Sequence, residues 1–143
     1  MKTTLIHSGM IGLALAAFIG TGPAAVAEVV NYKAALTAQG NDSKGTGNAD
    51  VTYDTTTKMI TWRVTFDNLT GPATAAHFHG PAAPGANAGV ALLIGNNPTS
   101  PATGSAMLDD AKAADLMAGR WYVNVHTAAN RGGEIRGQVE AMK

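Results

Sequence analysis

The sequence predicts an all-β domain: an antiparallel Greek-key β-sandwich or barrel of about seven or eight strands with one short helix. Three observations predict it. From Met59 to Asn68, Ile60, Trp62, Val64 and Phe66 alternate with Thr61, Arg63, Thr65 and Asp67, the period-two pattern of a strand with one buried face. Further short runs of this kind are closely spaced and separated by Gly-, Asn- and Pro-rich punctuation, which favours turns. A single stretch, Asp109 to Met117, carries a helical pattern, with Asp109 or Asp110 as N-cap and Gly119 past its end.

In chain order, residues 1–27 read as a secretory signal peptide. Lys2 precedes a short apolar run from Met10 to Ile19, broken only by Gly12, and Ala25-Val26-Ala27 matches a small-x-small cleavage pattern. The run is shorter than the roughly 20 residues a membrane span needs. This places residues 28–143 in the periplasm or outside the cell as a single domain, with no membrane span after cleavage. A first strand is expected over Val29–Ala38 and a loop over Gln39–Asn48. A hairpin of Ala49–Tyr53 and Met59–Asn68 turns at Asp54-Thr55-Thr56-Thr57-Lys58. Leu69 to Pro72 leads into a strand carrying His77. Pro81–Gly89 is a loop, Val90–Ile94 a short strand, and Ser105–Leu108 a strand edge. Trp121–His126 and Glu134–Ala141 form a final hairpin across Thr127–Gly133.

Parity assigns the faces. Trp62, Phe66, Phe78, Trp121, Val123 and Val125 belong to the core, with Ala76, Ile135 and Val139. Tyr122, Asn124, His126, His77, His79, Glu134, Arg136 and Gln138 then fall on the other face, under the loops. The chain has four histidines, and the three beyond the signal peptide are His77, His79 and His126. Their shared face makes a three-imidazole metal site the leading expectation; three exposed histidines with no common role is the competing one. Imidazoles suit copper, zinc, iron or nickel, and copper outranks zinc in raw affinity. Three protein ligands leave a coordination position open. Asn124, Glu134 and backbone carbonyls of the Pro81 loop are candidate partners for the second ring nitrogens. Met59, Met107, Met117 and Met142 offer thioethers that would favour Cu(I); core packing is the simpler role for each.

Composition narrows the function further. The chain has no cysteine, so no disulfide reinforces it. Ten basic and ten acidic residues balance without a basic patch, which gives no footprint for nucleic acid. No Ser-His-Asp order, phosphate-binding Gly loop or close carboxylate pair is present; Asp109-Asp110 reads as a helix cap.

Several segments together resemble the CHRD domain, named from chordin. They are Asn68-Leu69-Thr70-Gly71-Pro72, Ala75-Ala76-His77-Phe78-His79-Gly80-Pro81-Ala82, Gly119 to Thr127, and Gly132-Gly133-Glu134-Ile135-Arg136-Gly137-Gln138. The resemblance covers essentially all of residues 28–143 and implies a β-sandwich module, superoxide-dismutase-like or immunoglobulin-like. In chordin such repeats are tied to extracellular protein interaction, so a metal-free module with a protein partner is the alternative function. A looser resemblance is to copper/zinc superoxide dismutases. Ala76-His77-Phe78-His79, then Val125-His126, then Asn130-Arg131-Gly132-Gly133 are similar in order and strand context. It implies that His77, His79 and His126 ligate copper, with superoxide as a substrate and Arg131 or Arg136 drawing the anion in. Either arginine is equally explained as a surface charge paired with Glu134 or Glu140. The dismutase's bridging histidine, zinc site and cysteines have no counterpart here, so this resemblance supports a copper site more than dismutation. A zinc-stabilised structural domain is a third expectation.

Overall fold

The computed structural model describes residue 26 and residues 28–143. Apart from Val26 and its exposed side chain, the expected signal peptide lies outside the described residues. The described chain is a single antiparallel sheet, nearly closed into a barrel, with one helix. Its strands are β1 (Val29–Ala38), β2 (Thr46–Asp54), β3 (Met59–Asp67), β4 (Ala73–His79), β5 (Val90–Asn96), β6 (Ala102–Met107), β7 (Tyr122–Thr127), β8 (Ile135–Gln138) and β9 (Glu140–Ala141), with α1 (Asp110–Met117) between β6 and β7. The order across the sheet is β5-β4-β7-β8-β1-β2-β3-β6, and β9 adds to β1. β5 and β6 pack near each other at the seam. The chain thus leaves β3, makes the β4–β5 excursion and returns in β6 beside β3, a Greek-key path.

Local chemistry explains the connections. The β2–β3 hairpin turns because Asp54 Oδ1 accepts from the N–H groups of Thr56 and Thr57 at 2.8 and 3.0 Å, a side-chain mimic of a backbone turn. Asp109 is the N-cap of α1, accepting from Lys112 N at 2.8 Å, which satisfies a donor the helix itself leaves free. The helix stops at Ala118, followed by Gly119 with φ +69°.

The core forms inside the barrel around Phe78, whose ring centroid lies 5.6 Å from both Trp62 and Trp121. Tyr32, Leu36, Val51, Ile60, Val64, Val123, Val125 and Ile135 surround them, all buried. These alternate residues face inward as strand parity requires.

Four expectations need correction. Phe66 is only half-buried and packs against the margin of the core, because it sits at the open end of β3. The last strand is split at Val139 into β8 and β9, which raises the count to nine segments, although Val139 N–H still donates to Trp121 O at 2.9 Å in register with the β7–β8 pairing. Tyr122, Asn124 and Glu134 lie off the apolar core but are buried at 2%, 6% and 0% exposure, because loops fold over that face. Met107, Met117 and Met142 are exposed rather than packed in the core.

Candidate metal centre

β4 and β7 pair antiparallel, with Ala75 opposite His126, His77 opposite Asn124 and His79 opposite Tyr122. Opposed residues share a face, so this register alone places all three imidazoles on one side. His126 is diagonal to His77 across the small side chain of Ala75, which leaves room for the two rings to lean together. Their centroids are 5.1 Å apart, with His77–His79 at 5.5 Å and His79–His126 at 5.9 Å. One ring nitrogen from each of His77, His79 and His126 lies within 4.8 Å of the others.

Two loops orient the rings. The loop between β4 and β5 brings Ala88 O to 3.0 Å from His79 Nδ1. The turn between β7 and β8 brings Arg131 O to 2.9 Å from His126 Nδ1. A carbonyl only accepts, so each Nδ1 carries the proton and each Nε2 keeps its lone pair. His79 Nε2 is buried with no hydrogen-bond partner. His126 Nε2 lies 3.2 Å from His77 Nδ1. Burial holds the His77 imidazole below its ordinary range, helped by its neighbours His126 and His79. Burial likewise lowers His79, with His126 and Arg136 adding to it against the opposing Ala88 hydrogen bond. Both effects favour neutral rings, the form that ligates a metal.

A second layer fixes the covering loop. Tyr122 stacks on His79, centroids 5.0 Å apart and planes within 6°, and its hydroxyl accepts from Ala88 N at 3.1 Å. Arg136 lies over the Tyr122 ring at 3.5 Å. Its Nη1 and Nη2 donate to Asn87 Oδ1 and Ala86 O at 2.8 and 2.7 Å. Arg131 differs: its carbonyl supports His126 while its side chain is exposed.

A family model described as the CHRD domain matches residues 29–139. The chain belongs to the CHRD family. No curated protein and no solved structure matches it. Within this CHRD domain the histidine set foreseen from parity does converge on one face. Of the expected ring-orienting groups, a carbonyl of the Pro81 loop is in place through Ala88. Asn124 and Glu134 are not in that role. Asn124 Nδ2 donates to Gly132 O at 3.1 Å. Glu134 accepts from Ser43 Oγ, Thr70 N, Thr70 Oγ1, Thr127 Oγ1 and Asn130 Nδ2 at 2.5–3.1 Å. The sequence reading missed the Arg131 carbonyl and the Tyr122 stack. The signal for the first was the Gly132-Gly133 pair, which permits a tight return next to His126. Among the described residues no helix is long and apolar enough to cross a membrane.

Proposed function

We propose that this CHRD domain is a secreted or periplasmic metal-binding domain whose His77, His79 and His126 hold one copper ion, with zinc as the alternative metal. The carrying observation is the convergence of three ring nitrogens within 4.8 Å, two of the rings already oriented by backbone carbonyls. Such a donor set suits copper or zinc, and copper binds it more tightly. Copper, when bound, would supply one-electron chemistry with a small oxidant, superoxide being the candidate the dismutase resemblance suggests. Of the two arginines proposed to attract an anion, Arg136 is linked to His79 through the Tyr122 ring. Arg131 adds an exposed charge beside His126.

The test is titration of metal-free protein, lacking any histidine tag, with Cu(II), Cu(I) and Zn(II), then a superoxide dismutation assay on wild type and His79→Ala. Tight one-to-one copper binding with turnover supports the full reading. Binding without turnover leaves a copper carrier. Copper binding no better than that of His79→Ala sinks the site and leaves an extracellular interaction module, which the family also fits.

A further inference from the structure

Charge is distributed unevenly about the three imidazoles. The donor atoms that converge there are all ring nitrogens, and no carboxylate joins them among the described residues. Glu134, the one buried carboxylate among those residues, accepts at its two oxygens from Ser43, Thr70, Thr127 and Asn130. A cation does stand close. The Arg136 guanidinium lies 3.5 Å over the Tyr122 ring, and that ring is stacked on His79 with centroids 5.0 Å apart. Tyr122 is buried, so a ring and not water separates the guanidinium from the imidazole. From the sequence, Arg136 could pair with Glu134 or Glu140. It pairs with neither: the ion pairs among the described residues are Lys33–Asp50, Lys58–Asp110 and Arg120–Asp115. Its Nη1 and Nη2 donate to the neutral acceptors Asn87 Oδ1 and Ala86 O, which leave its charge uncompensated.

We infer that the site of His77, His79 and His126 holds cuprous copper in preference to cupric, and that the unpaired charge of Arg136, one aromatic ring away from His79, sets the size of that preference. This rests on the metal reading above. Three uncharged ligands return no negative charge to the ion, and Cu(II) favours a tetragonal donor set that three converging nitrogens do not complete. Cu(I) carries one charge less, so an uncompensated cation nearby penalises it less. At an effective dielectric of about 20, a unit charge held this way shifts such a balance by about tenfold. The same positive charge attracts an anion, so superoxide as the oxidant and a balance displaced towards Cu(I) agree in sign.

The experiment measures Cu(I) and Cu(II) affinities by chelator competition and the midpoint potential by redox titration, on wild type, Arg136→Gln and Arg136→Lys. A melting transition is recorded for each. Wild type should hold Cu(I) about tenfold or more tighter than Cu(II). Arg136→Gln keeps N–H donors without the charge and should lower the ratio of Cu(I) to Cu(II) affinity about tenfold, a fall of about 59 mV for one electron. Arg136→Lys keeps the charge and should retain the wild-type potential even where it loosens the loop. A role confined to fastening that loop would displace glutamine and lysine alike. If Arg136→Gln does not fold, Arg136→Leu takes its place; if neither folds, the affinity ratio of wild type decides. Copper bound one-to-one with Cu(II) preferred, or with a potential that loss of the charge leaves unchanged, overturns this inference and leaves the metal centre standing. Failure of wild type to bind either oxidation state overturns both readings.

Discussion

His77 Nδ1 lies 3.2 Å from His126 Nε2. Because the Arg131 carbonyl fixes the His126 proton on Nδ1, His126 Nε2 is an acceptor and His77 Nδ1 is the donor in the metal-free protein. The cluster is therefore held together by its own hydrogen bond. Two rings, His79 and His126, already offer lone pairs at Nε2; His77 must move its proton to Nε2 before Nδ1 can ligate. A metal would replace that hydrogen bond rather than require a new arrangement of strands.

Metal binding should accordingly stabilise the fold without reshaping it. At free copper one hundredfold above Kd the expected gain is about 2.7 kcal/mol, which raises the melting temperature of a domain this size by roughly 5–15 °C. His126→Ala should abolish most of the rise and weaken copper binding by more than about a hundredfold, since loss of an orienting partner alone costs 10–100-fold. Calorimetric melting with and without copper checks both. An equal rise in wild type and His126→Ala would place the metal elsewhere.

Arg136 is expected to fasten the loop between β4 and β5. It stacks on Tyr122 and donates to Asn87 and Ala86, so it joins β8 to the segment that carries Ala88. Arg136→Lys keeps the charge but loses the planar fork. It should cost about 1–2 kcal/mol and speed proteolytic cleavage within residues 81–89. If Arg136 acts chiefly as a charge, lysine will behave as wild type and only Arg136→Ala will show an effect.

How far the sequence revealed the site follows from what strand periodicity encodes. Period-two alternation put His77, His79 and His126 on one face because parity is a local property of each strand. It could not show how completely the loops bury this face. Glu134 and Asn124 alternate outward, yet they are buried by loops whose paths depend on distant partners such as Ser43 and Thr70. The carbonyl groups of Ala88 and Arg131 leave no side-chain signature at all. The break at Val139 has no signature either: the residue is apolar and buried, as a continuing strand requires, and its N–H even keeps the β7–β8 register.

Glu134 gives the fold a defined acid sensitivity. Burial pushes its carboxyl upward, but donors from Ser43, Thr127 and Thr70 outweigh this and hold it at about 2, against an ordinary value of 4.5. A carboxyl lowered on folding contributes stability that is fully present above the unfolded value and is lost as pH falls through the folded one. Stability should therefore decline between pH 4.5 and about 2. Glu134→Gln presents an amide N–H₂ to groups that already donate, so it should cost about 1–3 kcal/mol at neutral pH. It should also flatten the acid limb. Chemical denaturation of both proteins across that range measures it, and an unchanged acid limb would assign the sensitivity to other groups.

Gly137 tests how the sheet supports the site. On β8, a Cβ at this position would collide with the backbone carbonyl of Ala35 on β1, with the Ala35 carbonyl carbon at 2.7 Å. Backbone in a paired strand cannot yield as a side chain can. Gly104 makes a useful contrast, because the Cβ there would meet only the ring of Trp62. Gly71 has nothing within 4 Å and serves as the control. Gly137→Ala should destabilise by about 3 kcal/mol or more and Gly104→Ala by about 1–3, as overpacking does; Gly71→Ala should stay within about 0.5 kcal/mol. β8 carries Arg136 and pairs with β7, the strand of His126. Strain at Gly137 should therefore also lower copper affinity, while Gly71→Ala, with open space at its Cβ, leaves it unchanged. Denaturant midpoints and copper titrations on the three variants decide. Unchanged copper affinity in Gly137→Ala would mean that the site does not depend on the β7–β8 pair.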